Sequence, residues 1–169
     1  MGVFAPGNTP GGSEFINNWT DLKGDFWLYG GGYTWDGQTL IWDGLWEFEP
    51  TKKEWAWIAG GGQSTSSANG VYGTKGVAEA GVHPGLRQGS ANWTDSQGRL
   101  WMFGGLGYKY LPSLETISLN DLWMFDPTSG LWTWMGGSVP GGAAAPAALV
   151  LAFRCGINFV GNGIVGEMQ

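Results

Sequence analysis

Short runs of alternating apolar side chains organise this chain. In RLWMF (99–103), Leu100 and Met102 fall on one side of an extended strand and Trp101 and Phe103 on the other, because strand side chains alternate. Both sides are apolar, so the strand needs cover on both faces. Runs of the same kind recur as FWLYGG, LWEFEP, EWAWI, LWMFDP and LWTWM, bounded by polar, glycine or proline residues. In the second half the pattern predicts four strands, near 91–94, 99–103, 121–125 and 131–135. Asp95-Ser96-Gln97-Gly98 is predicted to turn between the first two, with Gly98 free to take positive φ. Pro127-Thr128-Ser129-Gly130 is predicted to turn between the last two, where proline sets φ. No 3.6-residue periodicity survives the glycines and tryptophans, so no helix is predicted over 13–137.

The pattern occurs twice. NNWTDLKGDFWLYGG (17–31) matches ANWTDSQGRLWMFGG (91–105) at an offset of 74, and GLWEFEPTKKEWAWI (44–58) matches DLWMFDPTSGLWTWM (121–135) at an offset of 77. Ten of the twelve tryptophans form five equivalent pairs: Trp19/Trp93, Trp27/Trp101, Trp46/Trp123, Trp55/Trp132 and Trp57/Trp134. Similar burial is expected within each pair, and Trp101 is expected to behave as a large core aromatic. The first offset extends back to GVFAPGNTPG (2–11) against GVAEAGVHPG (76–85), so the chain is expected to start within an inter-unit linker. Fixed-period self-similarity is the mark of stacked units. A small sheet that needs cover on both faces, repeated along the chain, reads as one blade of a radial stack. The expected organisation is an all-β chain: linker 1–16, four-stranded antiparallel sheet 17–58, linker 59–90, second sheet 91–135, and a glycine- and alanine-rich tail 136–169. In that tail, residues 147–163 read either as a degenerate hairpin of a third unit or as a non-native segment.

Composition then narrows the chemistry. A content of 32 Gly is compatible with disorder, but 15% aromatic residues argue against it. Eight Lys+Arg against fourteen Asp+Glu give a net charge of −6 with no basic run, which excludes a nucleic-acid-binding face. One cysteine, Cys155, excludes a disulfide framework, and one histidine, His83, excludes a multi-histidine metal site within one chain. No metal and no cofactor is expected. The opening MGVFAPGNTPGG has neither a cationic start nor an apolar core, so as it stands it is not a targeting segment. Residues 143–165 are interrupted by Pro146, Arg154 and glycines, and are expected to be buried rather than to span a membrane.

Several of these features together resemble the kelch repeat: paired glycines after strand two (Gly30-Gly31, Gly104-Gly105), an aromatic and Asp126-Pro127 closing strand three, and a tryptophan on strand four (Trp55, Trp132). The resemblance implies a β-propeller like the central domain of galactose oxidase, with two full blades and a partial third. The linker containing GVYGTKG and PGLR is similar to tryptophan-rich kelch repeats of large bacterial surface or secreted proteins, which implies an extracellular or cell-surface setting. Arg87 of PGLR has Ser13 as its partner in the first unit, so a family-type arginine contact is lost there. Propellers close with about four to eight blades. The chain is therefore expected to be a fragment of a longer one, or to associate with copies of itself through exposed apolar faces and strand edges.

In an up-and-down meander the short turns 21–24, 50–54, 95–98 and 127–130 share one end, and the long connections 32–43, 58–90 and 106–119 share the other. Long loops on a rigid scaffold carry binding. The connection between strands two and three is also the blade segment whose length differs between units. It places Tyr33, Trp35, Asp36, Trp42 and Asp43 in the first unit, and Tyr108, Lys109 and Tyr110 in the second, as candidate ligand-binding residues. Aromatic rings beside carboxylates suit a glycan or a polar protein segment; they equally serve to cover the end of the sheets. Asp21 and Asp95 are expected to cap turns rather than act as an acid–base pair, and Asp36, Asp43 and Asp121 lack calcium-loop spacing. The expected function is a non-catalytic protein- or carbohydrate-binding scaffold, partnered by further blades or a second copy. The alternative is a piece of a carbohydrate-active propeller enzyme, similar to sialic acid mutarotase or galactose oxidase, with its catalytic residues in other blades. Copper chemistry of the latter kind requires two histidines and a cysteine-modified tyrosine, which His83 and Cys155 do not supply.

Overall fold

The two apolar repeats fold as two four-stranded antiparallel sheets. The computed structural model describes residues 1–36, 38–61, 69–108 and 116–140, with backbone alone at Thr34, Trp35, Gln38, Thr39 and Asn69. The strands are β1 (Asn17–Thr20), β2 (Phe26–Tyr29), β3 (Gly32–Trp35), β4 (Gln38–Ile41), β5 (Leu45–Glu49), β6 (Glu54–Ala59) and β7 (Asn69–Val71). They continue as β8 (His83–Gly85), β9 (Arg87–Gln88), β10 (Ala91–Thr94), β11 (Leu100–Tyr108), β12 (Thr116–Asp126) and β13 (Leu131–Gly136). The first sheet runs β1-β2-β5-β6. The second runs β10-β11-β12-β13, with β9 also on β11, and neither closes on itself. The described residues contain no helix. Membrane-spanning helices are thus absent among them, and the stretch 143–165 lies outside the described residues.

The sequence repeat is a repeat of register. Trp19 sits opposite Trp27 as Trp93 sits opposite Trp101, and Phe48–Trp55 is matched by Phe125–Trp132. The turn aspartates explain the shared Trp-Thr-Asp. Asp21 Oδ1 accepts from the backbone N–H of Lys23 and Asp25, and its Oδ2 accepts from Trp27 Nε1 at 3.1 Å. Asp95 does the same for Gln97, Arg99 and Trp101. The paired glycines let a linker strand pass close by. A Cβ on Gly31 would stand 2.2 Å from Ser13 Oγ, and one on Gly105 would stand 2.7 Å from the Gln88 carbonyl. At these glycines the units diverge. β11 continues through a bulge to Tyr108, whereas β2 stops at Tyr29 and β3–β4 form a separate hairpin. The connection read from sequence as the loop 32–43 is therefore mostly a hairpin, turning at Asp36 with φ 48°.

One face of each sheet makes the core between them. Trp19, Trp27, Tyr29 and Leu45 of the first sheet meet Leu100, Met102, Trp123, Phe125 and Trp132 of the second. Trp27 lies 5.6 Å from Phe125 and Tyr29 lies 5.2 Å from Trp132, ring centre to ring centre. Trp19 Nε1 donates to the Trp101 carbonyl at 2.7 Å. The expectation of equal burial within tryptophan pairs is corrected by this arrangement. Trp19 and Trp27 are buried while Trp93 and Trp101 are half-buried, and Trp123 and Trp132 are buried while Trp46 and Trp55 are half-buried. Only Trp57 and Trp134 share a class. The reason is that the two sheets use opposite faces, so matching positions lie on different sides of the join.

The segments before each sheet wrap its outer strand. Gly2 N–H donates to Trp57 O and Ala5 bridges Trp55, both on β6; Gly76 N–H donates to Trp134 O and Ala78 bridges Thr133, both on β13. A strand edge that would template association is thereby covered.

Candidate functional site

A buried ion pair anchors the second unit. Arg87 is fully enclosed and meets Asp121 with both terminal nitrogens, Nη1 to Oδ1 and Nη2 to Oδ2, each at 2.8 Å. This two-pronged geometry is the strong form of a guanidinium–carboxylate contact. Nη1 also donates to Gly104 O at 3.3 Å and Nη2 to Pro84 O. Asp121 Oδ2 accepts from Tyr72 OH at 2.5 Å and from Trp123 Nε1 at 2.7 Å. Burial works against the Asp121 charge, but Arg87 and the other donors outweigh it and hold the carboxyl below its ordinary value. Burial pushes the Tyr72 phenol far up. With its oxygens committed in this way, Asp121 is a structural anchor.

The first unit lacks this pair. At the same offsets, Ser13 stands for Arg87 and Gly44 for Asp121. What remains is an open cleft of ≈ 170 Å³ lined by Pro10, Gly11, Ile16, Gly30, Trp42, Gly44 and Trp46. Pro10, Gly30 and Trp46 match Pro84, Gly104 and Trp123, three of the four groups that contact the pair in the second unit, Tyr72 being the fourth. Trp42 lies over Gly11, where a Cβ would come within 3.1 Å of its ring, and its Nε1 donates to Gly12 O at 3.2 Å. Sequence comparison registers Ser13 against Arg87. It takes the register shift between the two offsets to see that Gly44 against Asp121 is the other half of one loss.

The remaining candidates disperse. Tyr33 is half-buried on β3, Asp36 is exposed at the hairpin turn, and Trp35 ends β3 opposite Gln38. Asp43 is buried, and its Oδ1 accepts from Gly61 N–H at 2.9 Å. The matching Asn120 Oδ1 accepts from Ser138 N–H at 3.0 Å, so this is a strand-end cap present in both units. Tyr108 is buried with Ile41 and Leu86, and burial raises its phenol. Lys109 and Tyr110 lie outside the described residues. Among those whose side chains are described, Trp42 is the one that lines the cleft.

Two further features border the site. A groove of ≈ 320 Å³ follows the join of the sheets, walled by Asp43, Glu79, His83, Tyr29 and Trp132 among others. Burial lowers the His83 pKa, against the opposing pull of Asp43. At the short-turn end, the carboxylates of Asp21, Asp25 and Glu47 lie within 4.8 Å of one another, close enough for their oxygens to hold a cation. Their counterparts are Asp95, Arg99 and Met124, so the crowding belongs to the first unit alone. Burial, then the neighbouring carboxylates, raise both Asp25 and Glu47. A raised carboxyl destabilises the fold while it is ionised. Glu47→Gln is therefore expected to stabilise the chain at pH 7 by about 0.2–1 kcal/mol, the range for neighbouring charges in a sheet. The gain should vanish as pH falls through the folded-state pKa, measured by urea unfolding across pH.

No protein-family model matches the chain, and no curated protein matches it.

Proposed function

We propose that the chain is a two-blade segment of a kelch-type β-propeller that serves as a non-catalytic scaffold for a protein or carbohydrate ligand. Its open faces are completed by further blades of a longer chain or by a second copy, and the kelch reading brings with it an extracellular or cell-surface setting. The observation that carries the proposal is the matching of faces. The second sheet buries Leu100, Met102, Trp123, Phe125 and Trp132 against the first. The corresponding positions of the first sheet, Phe26, Leu28, Trp46, Phe48 and Trp55, are apolar as well but face away from the join, with Phe26 45% exposed. The face that covers the join carries Trp19 and Trp27. Its counterpart in the second sheet carries Trp93 and Trp101, which stack at 5.8 Å and remain half-buried. The chain thus presents two different complementary surfaces at its two ends, the arrangement that gives head-to-tail contacts, driven by removal of apolar area from water.

Sedimentation of the 169-residue chain is expected to show concentration-dependent association. Phe48→Lys, on the outer face, should suppress association while leaving the thermal transition in place. A clean monomer over the whole concentration range would overturn the reading.

A further inference from the structure

We propose that the cleft beside Gly44 in the first unit is a subsite for one neutral, hydroxyl-rich ring, a single pyranose unit, seated where the second unit holds its own Arg87–Asp121 pair. The proposal deepens the reading of the chain as a scaffold and names the chemistry of its ligand.

The paired units supply the argument. In the second unit the Gly104 carbonyl accepts from Arg87 and from Ser90 Oγ, the Pro84 carbonyl accepts from Arg87, and Trp123 Nε1 donates to Asp121. In the first unit the donor positions hold Ser13 and Ile16, and the acceptor position holds Gly44. The Gly30 carbonyl therefore lacks both side-chain donors, and the Pro10 carbonyl keeps only the hydroxyl of adjacent Thr9 at 3.0 Å. Trp46 Nε1 makes no hydrogen bond among the described residues. Two carbonyl acceptors and one indole donor remain. Hydroxyl groups answer both, since each donates and accepts.

Charge and size narrow the occupant. Among the described residues, no charged side chain lines the cleft. A lone guanidinium or carboxylate would be desolvated there without a counter-ion, at heavy cost. The volume of ≈ 170 Å³ falls below the ~300–1,000 Å³ of drug-sized sites, so about one ring seats within the cleft. Trp42 and Trp46 supply flat apolar walls for the C–H face of such a ring. Trp42 is already fixed by Gly11 and by its bond to Gly12, so little ordering is left for the ligand to impose.

The test uses the full chain with the methyl glycosides of glucose, galactose, mannose and N-acetylglucosamine, monitored through the indole N–H signals by NMR. At least one glycoside is expected to move the Trp42 and Trp46 signals at millimolar concentration, with Trp123 unmoved. Trp42→Ala should weaken that response at least tenfold. Ser13→Arg combined with Gly44→Asp builds the second unit's pair into the cleft and should abolish the response, with an unchanged Trp123 signal reporting the intact fold. The proposal is overturned if no glycoside moves the two signals, if methylguanidinium or acetate moves them instead, or if Trp42→Ala responds like the parent chain. Trp46 borders both the cleft and the outer sheet face, so the titrations are made at a concentration where sedimentation shows separate copies, which keeps association out of the readout. Absent binding with association retained would remove this proposal alone.

Discussion

Asp121→Ala is expected to destabilise the chain by about 3–5 kcal/mol, the cost of leaving a buried charge without its partner. The substitution strands the fully enclosed Arg87 guanidinium, whose Nε already lacks a partner, and removes the acceptor for Tyr72 and Trp123. The double variant Arg87→Ser with Asp121→Gly copies the first unit, which folds without either charge, so its cost should be clearly less than the sum of the single costs. Such non-additivity is the signature of contacting residues. Urea unfolding of the double variant and of Arg87→Ser and Asp121→Gly singly measures it, and additive losses would mean the two side chains act independently. The acid limb gives a second reading. A carboxyl held below its unfolded value contributes stability above that value, about 3.9, and loses it as pH falls through the folded one. The parent should therefore lose stability more steeply below pH ~4 than Asp121→Ala does.

Trp27→Ala is expected to cost about 3–5 kcal/mol, as for a large aromatic removed from a core. The matching Trp101→Ala should cost less, on the order of 2–3 kcal/mol, because its indole is only partly buried. Trp27 is 3% exposed, packs on Phe125 and anchors the Asp21 turn through its indole. Trp101 makes the equivalent bond to Asp95 at 2.7 Å and stacks on Trp93, with Arg99 over its ring, but among the described residues no third sheet covers it. Unfolding midpoints at dilute concentration, where copies stay apart, decide the matter. Equal losses would mean that the two faces are equally covered.

The contrast shows how far the amino-acid pattern reaches. Strand positions, the registers opposing Trp19 to Trp27 and Trp93 to Trp101, and the capping role of Asp21 and Asp95 are legible because they depend on neighbours within one unit. Burial is not, since a repeat states that two positions are alike and says nothing about what stands beside each sheet. The β3–β4 hairpin has a local signal that the loop reading passes over: Asp36-Gly37 between apolar runs is a strong two-residue hairpin mark. Tyr108 looks like a ligand-side aromatic in the sequence, yet Ile41 of the first unit and Leu86 of the second enclose it. The cleft is the least legible feature. It needs Ser13 and Gly44, far apart in the chain, to be recognised as one missing pair.

The wrapping segments have a genetic consequence. Residues 2–5 close the last strand of the first unit, and residues 76–78 close the last strand of the second. Each unit thus carries its own clasp, and a boundary just before Asn69 leaves β7, Tyr72 and the clasp at 76–78 with the second unit without stripping the edge of either. A duplication with its boundaries there would insert a complete cassette with both apolar faces ready to pack. An array built from this module would lengthen by whole units, with copies free to differ in holding an internal ion pair or a cleft, as the two units do at Ser13/Arg87 and Gly44/Asp121, while the stacking faces stay the same.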